Sequence, residues 1–150
     1  MKLLKTMLLC AVLAPAAVGA AADTAQPSSI QGVWRVAEVR SNGRVNKKPE
    51  PGLYIITSKH YSIVLVNQPR PKVDDLAAAT DSELRSVWAP LVSHSGTYAI
   101  SSNGHVTWSP IVAKNPAFIG SHVEVPYAVN GNELWVKDAT GQELRLIRLE

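Results

Sequence analysis

Turn signals cut this chain into strand-length runs, and their spacing restricts the accessible folds more than any other feature. Ser41-Asn42-Gly43, Ser102-Asn103-Gly104 and Asn130-Gly131 each offer residues that tolerate the positive φ of a tight hairpin. Ser58-Lys59-His60 and Asp138-Ala139-Thr140-Gly141 add two more turns. The runs between them, rich in Val, Ile, Leu, Tyr and Trp, predict eight strands over 32–40, 52–57, 61–66, 96–101, 105–112, 121–129, 133–137 and 142–149. Pro126 marks an edge or a bulge in the sixth, because it has no amide proton to give a ladder. Eight strands joined mostly by short turns make an antiparallel all-β domain. A closed barrel and a two-layer sandwich both accept that count, and the partial alternation along the central strands does not choose between them.

Two stretches interrupt the pattern. Residues 45–51 are polar and contain Pro49 and Pro51, so they read as a loop. Residues 67–91 begin with Pro69-Arg70-Pro71, which cannot join a ladder. Thr80-Asp81-Ser82-Glu83 then forms a capping box, with the Thr80 hydroxyl accepting from the Glu83 amide while the Glu83 carboxylate reaches back. Leu84, Val87, Trp88 and Leu91 recur at three and four residues, and Pro90 ends the run. This predicts one short amphipathic helix over 81–89, packed at an end of the domain. Further on, Asn115 is placed to cap the turn before Pro116.

The amino terminus carries an address. Lys2 and Lys5 precede an apolar run from Met7 to Leu13, and small residues around Ala20 and Ala22 supply a cleavage site. That is the layout of a secretory signal peptide over 1–22, followed by a disordered lead-in over 23–29 and one domain over 30–150. The apolar run is short and broken by Pro15, which argues against a retained membrane anchor and so against stable membrane insertion after cleavage. The expected location is periplasmic or secreted. Cys10 is the only cysteine, so the mature chain would have neither a disulfide nor a thiol nucleophile. Lys2 and Lys5 leave with the signal, reducing 15 Lys and Arg to 13 against 12 Asp and Glu. A nearly neutral domain is a poor partner for nucleic acid.

No catalytic signature stands out. Ser93-His94-Ser95 lacks the Gly-x-Ser-x-Gly form of a nucleophile elbow, and there is no Gly-rich phosphate loop or dinucleotide fingerprint, so no cofactor is implied. The four histidines, His60, His94, His105 and His122, are scattered. His122 and Glu124 share a strand face and His105 lies on another strand, but a metal needs three such groups converging with supporting partners. No metal site and no catalytic residue is assigned.

Taken in order, Gly32-Val33-Trp34, Pro51-Gly52-Leu53-Tyr54, His60-Tyr61-Ser62, Gln68-Pro69-Arg70-Pro71 and the Thr80 to Trp88 segment are followed by Ser95-Gly96-Thr97-Tyr98. Then come Pro110 to Pro116, Asn132-Glu133-Leu134-Trp135 and the closing Leu146-Ile147-Arg148-Leu149. With these pieces the sequence resembles the exported bacterial lipocalin-like domain family, a calycin-type barrel. The resemblance covers nearly all of the mature chain. It implies an eight-stranded antiparallel up-and-down lipocalin-like barrel with one short inserted α-helix. It also implies a floor built by Gly32 and Trp34, with Arg148 of the last strand stacked on the indole. The family implies no particular ligand or reaction. The chain differs from secreted animal lipocalins in having no disulfide cysteines and no long C-terminal helix.

A barrel suggests a cargo. Tyr61, Trp88, Tyr98 and Trp108 combine large apolar faces with one polar handle and are the candidate ligand contacts. Arg70, held between two prolines, is a candidate partner for a ligand carboxylate. The expected function is non-covalent binding of a small hydrophobic or aromatic molecule outside the cytoplasm. The alternatives are a cofactor-free isomerase or cyclase using the same cavity, and a structural or interaction domain whose barrel is filled by its own side chains. Shifted ionisable groups crowded in the cavity would mark the enzyme, and absence of a continuous cavity would mark the filled barrel.

Overall fold

The computed structural model describes residues 29–138 and 140–150; the expected signal peptide and most of the lead-in lie outside them. The described residues form strands β1 (Gly32–Ser41), β2 (Arg44–Asn46), β3 (Gly52–Ile56) and β4 (His60–Val66), then helix α1 (Asp81–Trp88). They continue through β5 (Leu91–Ile100), β6 (His105–Ala113), a 3₁₀ turn (Pro116–Phe118), β7 (Val123–Asn130), β8 (Glu133–Lys137) and β9 (Glu143–Arg148). From β3 to β9 each strand pairs with the next one in the chain, β1 pairs with β3, and β9 returns to β1. All pairings are antiparallel. The result is a closed eight-stranded antiparallel barrel with one short extra strand, and the sandwich alternative is excluded. Closure leaves no long sheet edge to template association.

The core follows from period-two alternation on curved strands. In β3 the inward residues Gly52, Tyr54 and Ile56 are buried while Leu53 and Ile55 face out. In β8 and β9, Leu134 faces Leu146 and Val136 faces Leu144 across the pairing. Trp34, Val106, Leu134 and Leu146 are sealed from solvent. Each such aliphatic side chain stabilises the fold by roughly 1.5–3 kcal/mol through removal of apolar area from water.

The barrel is shut at one end by the two chain ends of the domain. Trp34 has no exposed surface, and its Nε1 donates to the Ile30 carbonyl at 2.8 Å. The Arg148 guanidinium lies 4.0 Å over that indole and donates to the Gln31 and Ser29 carbonyls at 2.6 and 2.8 Å. Gly32 is required where it stands. Its φ of +139° disfavours L side chains, and a Cβ would collide with the Arg148 guanidinium and the Glu150 carbonyl. The Gly-x-Trp opening is therefore a packing constraint: the glycine makes room for the arginine that covers the tryptophan.

A bulge in β1 between Val36 and Glu38 lets Val36 and Val39 both point inward although they are three residues apart. It turns Glu38 to the outer face. That carboxylate is only 4% exposed and is held by Arg40 at 2.7 Å and Arg145 at 3.9 Å. Arg145 also pairs with Glu133 at 2.6 Å, and Arg40 covers the Trp135 ring at 4.5 Å. An ion-pair cluster thus fastens the seam where the last strands meet the first.

Three details differ from expectation. β2 forms within residues expected to be turn and loop, as a hairpin return of β1 that Pro49 and Pro51 cut off from β3. β5 begins at Leu91 rather than at residue 96, because Leu91 to Ser95 pair fully with β4. The helix forms with its capping box, Thr80 N bonding Glu83 Oε2 at 2.9 Å and Glu83 N bonding Thr80 Oγ1 at 3.3 Å. Yet none of its residues is buried. It is held instead at its C-terminus, where Lys114 Nζ donates to the carbonyls of Trp88, Ala89 and Leu91 at 2.5, 3.1 and 2.7 Å. Asn115 caps the 3₁₀ turn through the Ala117 amide at 3.1 Å. Pro126 marks a handover: β7 pairs with β6 up to Pro126 and with β8 from Tyr127 onward.

Candidate ligand-binding cavity

The end of the barrel opposite Trp34 opens into a cavity of about 460 Å³. Its walls are Val36, Leu65, Val92, Trp108, Val123 and Leu144, which are inward positions on six strands. Polar residues gather at the mouth: Lys48 and Glu50 from the loop before β3, Asn67 after β4, and Asp138, Thr140 and Gln142 between β8 and β9. The volume is within the ~300–1,000 Å³ common for small-molecule sites, and an apolar wall with a few polar groups is their usual chemistry.

One polar group sits well inside. His94 is the inward residue between Val92 and Gly96, opposite Ile63 on β4, which in turn faces Tyr54 on β3. Ser93 and Ser95 point outward, and the Ser95 hydroxyl bonds that of Ser62 at 2.9 Å. A bulge between Ser95 and Gly96 brings β5 close to β6; a Cβ on Gly96 would strike the Ser109 carbonyl. The His94 Nδ1 is 2.9 Å from the Tyr61 hydroxyl. Tyr61 packs against Trp108 with ring centroids 4.6 Å apart, and the His94 ring stacks at 29° to that of Phe118 with centroids 6.1 Å apart.

Burial keeps these groups uncharged. It pushes the Tyr61 phenol up to about 12 and the His94 imidazole below its ordinary 6.5. Burial, with a smaller contribution from the Asp138 charge, also raises Tyr54 well above the usual phenol range. Asp138 is pinned by the Thr140 amide and hydroxyl at 2.8 and 2.7 Å and by the Gln142 amide at 2.9 Å. The tautomer of His94 depends on which partner of this pair donates. A neutral Tyr61 hydroxyl needs an acceptor, and among the described residues His94 Nδ1 is the one it has. With Nδ1 accepting, the ring proton resides on Nε2.

The residues singled out from the sequence are dispersed. Trp108 lines the cavity. Tyr61 is buried behind His94 and Trp108 and reaches the cavity through its hydroxyl bond. Tyr98 packs on the far side of Trp108, and its hydroxyl donates to the Thr57 carbonyl at 2.7 Å, outside the cavity walls. Trp88 is 58% exposed under Lys114 and also lies outside those walls. Arg70 is exposed on the loop beside Pro69, a mouth residue. Gly32, Trp34 and Arg148 meet at the floor.

Sequence reasoning did not select Tyr54 or His94 for the cavity. The available signal was the alternation Val92-x-His94-x-Gly96, which the flanking serines disguise as a loop. Among the described residues no three His, Cys, Asp or Glu side chains are grouped to hold a metal; His122 Nδ1 is instead 2.9 Å from Ser109 Oγ. No described helix is long and apolar enough to cross a membrane.

No protein-family model matches the chain, and neither does any curated protein. Among solved structures it is similar to a lipocalin-like protein from Bacteroides uniformis, with a TM-score of 0.50 and 10% identity over 79% of this chain and 97% of that one. An uncharacterized protein from Bacteroides eggerthii gives a TM-score of 0.47 and 8% identity over 79% of this chain and 98% of the other. The former likeness and the closed course of the sheet make the fold lipocalin-like.

Proposed function

We propose that this protein is an exported carrier or receptor that holds a small, largely apolar molecule non-covalently in its barrel. The observation that carries this reading is the open cavity of about 460 Å³, walled by aliphatic side chains and Trp108. A barrel filled by its own side chains would have no such space. Ligand area moved from water onto those walls contributes roughly 25 cal/mol per Å². The closed sheet fixes the walls before binding, which limits the ordering cost. Tyr54, Tyr61 and His94 are shifted ionisable groups of the kind the isomerase or cyclase alternative calls for, but burial moves both phenols away from neutral pH, where they offer hydrogen bonds rather than exchange protons, and this favours binding. Export is supported by the amino-terminal pattern of Lys2, Lys5, Met7 to Leu13 and the small residues up to Ala22.

Purification of the mature domain from its producing cell, followed by mass spectrometry of co-purifying small molecules, tests the reading. Ligands recovered in this way, with lipophiles competing for the same site, are the expected result. A domain that carries nothing and binds no member of a lipophile panel refutes it.

A further inference from the structure

A polar side chain set deep among the apolar walls limits what the cargo is. His94 is inward-facing on β5, and its Nδ1 is engaged by Tyr61 at 2.9 Å. Its ring is flanked by Phe118 and lines the cavity. The Nε2–H is thus the ring's remaining donor. A donor walled by hydrocarbon that meets no acceptor costs about 1–3 kcal/mol, so a cargo that supplies an acceptor is favoured over one that does not.

Charge then narrows the acceptor. Among the described cavity-lining residues, Lys48 is the only Lys or Arg, and it stands at the mouth together with Glu50 and Asp138. A carboxylate drawn down to His94 would lose its water and meet a neutral imidazole and a neutral phenol, with no counter-charge. An uncharged oxygen, such as that of a ketone, ester or amide, accepts the same hydrogen bond without that cost. Tyr54, across Ile63 from His94, adds a hydroxyl to the same cavity, and none of the described residues hydrogen-bonds it.

Building on the carrier reading, we propose that the cavity selects uncharged molecules bearing a carbonyl-type oxygen, which docks on His94 Nε2–H while the apolar remainder lies along the aliphatic wall. Tyr61 is a positioning residue: it fixes the tautomer without touching the cargo.

Acetylnaphthalene, ethylnaphthalene and naphthoate share one skeleton and differ in the group offered to His94. Equilibrium dialysis of each against the mature domain gives the test. The ketone binds about tenfold more tightly than the hydrocarbon, and the carboxylate binds most weakly. In His94→Leu the ketone loses its advantage while the hydrocarbon binds as well as before or better. If naphthoate binds more tightly than the ketone, or the preference for the ketone survives His94→Leu, the anchor is wrong while the carrier reading stands. If none of the three binds, both fall. A measurement on the unaltered protein guards against misfolding of the variant. Nitrogen NMR of the imidazole shows the proton on Nε2, and a proton on Nδ1 overturns the proposal.

Discussion

Replacing Gly32 by alanine probes the floor of the barrel with a single carbon atom. The backbone there has φ +139°, and the added Cβ would meet the Arg148 guanidinium and the Glu150 carbonyl. Forcing an alanine into such a conformation, well outside the left-handed helical region, costs about 1–3 kcal/mol by itself. Arg148 must also move, which weakens its charged hydrogen bonds to Gln31 and Ser29, worth about 1.5–3 kcal/mol. Its stacking on Trp34 adds roughly 0.5–2 kcal/mol. Because these losses overlap, the expected total is about 3–5 kcal/mol, a large share of the ~5–15 kcal/mol by which domains are stable. Gly43 is the control: it has φ +73°, and an added methyl group would meet nothing within 4 Å. Gly43→Ala should therefore cost only the conformational part, about 1–2 kcal/mol. Urea unfolding of both variants measures the difference through the midpoint at unchanged slope. If the two substitutions cost the same, the arginine does not depend on the room the glycine provides, and the reasoning about Gly-x-Trp is refuted.

Three further outcomes follow from the same geometry. Burial holds His94 below its ordinary 6.5, so the folded state disfavours the proton; that stability is complete above about pH 6.5 and is lost as the pH falls through the lower folded value. Urea midpoints across this range should decline less steeply in His94→Leu, and an unchanged slope would contradict the assignment. Thr80→Ala removes the capping box, worth about 1 kcal/mol, from a helix with no buried residue. Amide exchange within α1 should quicken about fivefold while the global unfolding midpoint stays in place, and a shifted midpoint would show that the helix is part of the core. Val92→Trp should fill the cavity near its mouth and cut ethylnaphthalene binding by at least about tenfold in a domain that still unfolds cooperatively; undiminished binding would place the ligand elsewhere.

Much of the vessel was legible because local chemistry and global topology agree. Asn42-Gly43, Asn103-Gly104 and Asn130-Gly131 all lie at hairpin turns, and Gly43, Gly104 and Gly131 have positive φ. Thr80 and Glu83 make the reciprocal bonds that their spacing predicts. The site was less legible because it depends on partners distant in sequence. Leu91 to Ser95 looks like loop, with two serines and a histidine, but pairing with β4 makes it strand and turns His94 inward. Trp88 and Arg70 suggested contacts by residue type, yet they sit on an insertion that the barrel does not bury. The amphipathic spacing of Leu84, Val87 and Trp88 describes a helix correctly but does not say what covers it. Tyr54 reads as an ordinary strand residue until the sheet closes and its hydroxyl shares a space with His94 and Asp138.

The four tryptophans provide a direct test of where a ligand lies. Trp108 lines the cavity, Trp34 is sealed in the floor, Trp88 is outside on the helix, and Trp135 is on the outer face beneath Arg40. Fluorine NMR of the fluorotryptophan-labelled domain, titrated with acetylnaphthalene, should move the Trp108 resonance and leave the other three in place. A shift at Trp88 or Trp135 with Trp108 unmoved would contradict binding inside the barrel.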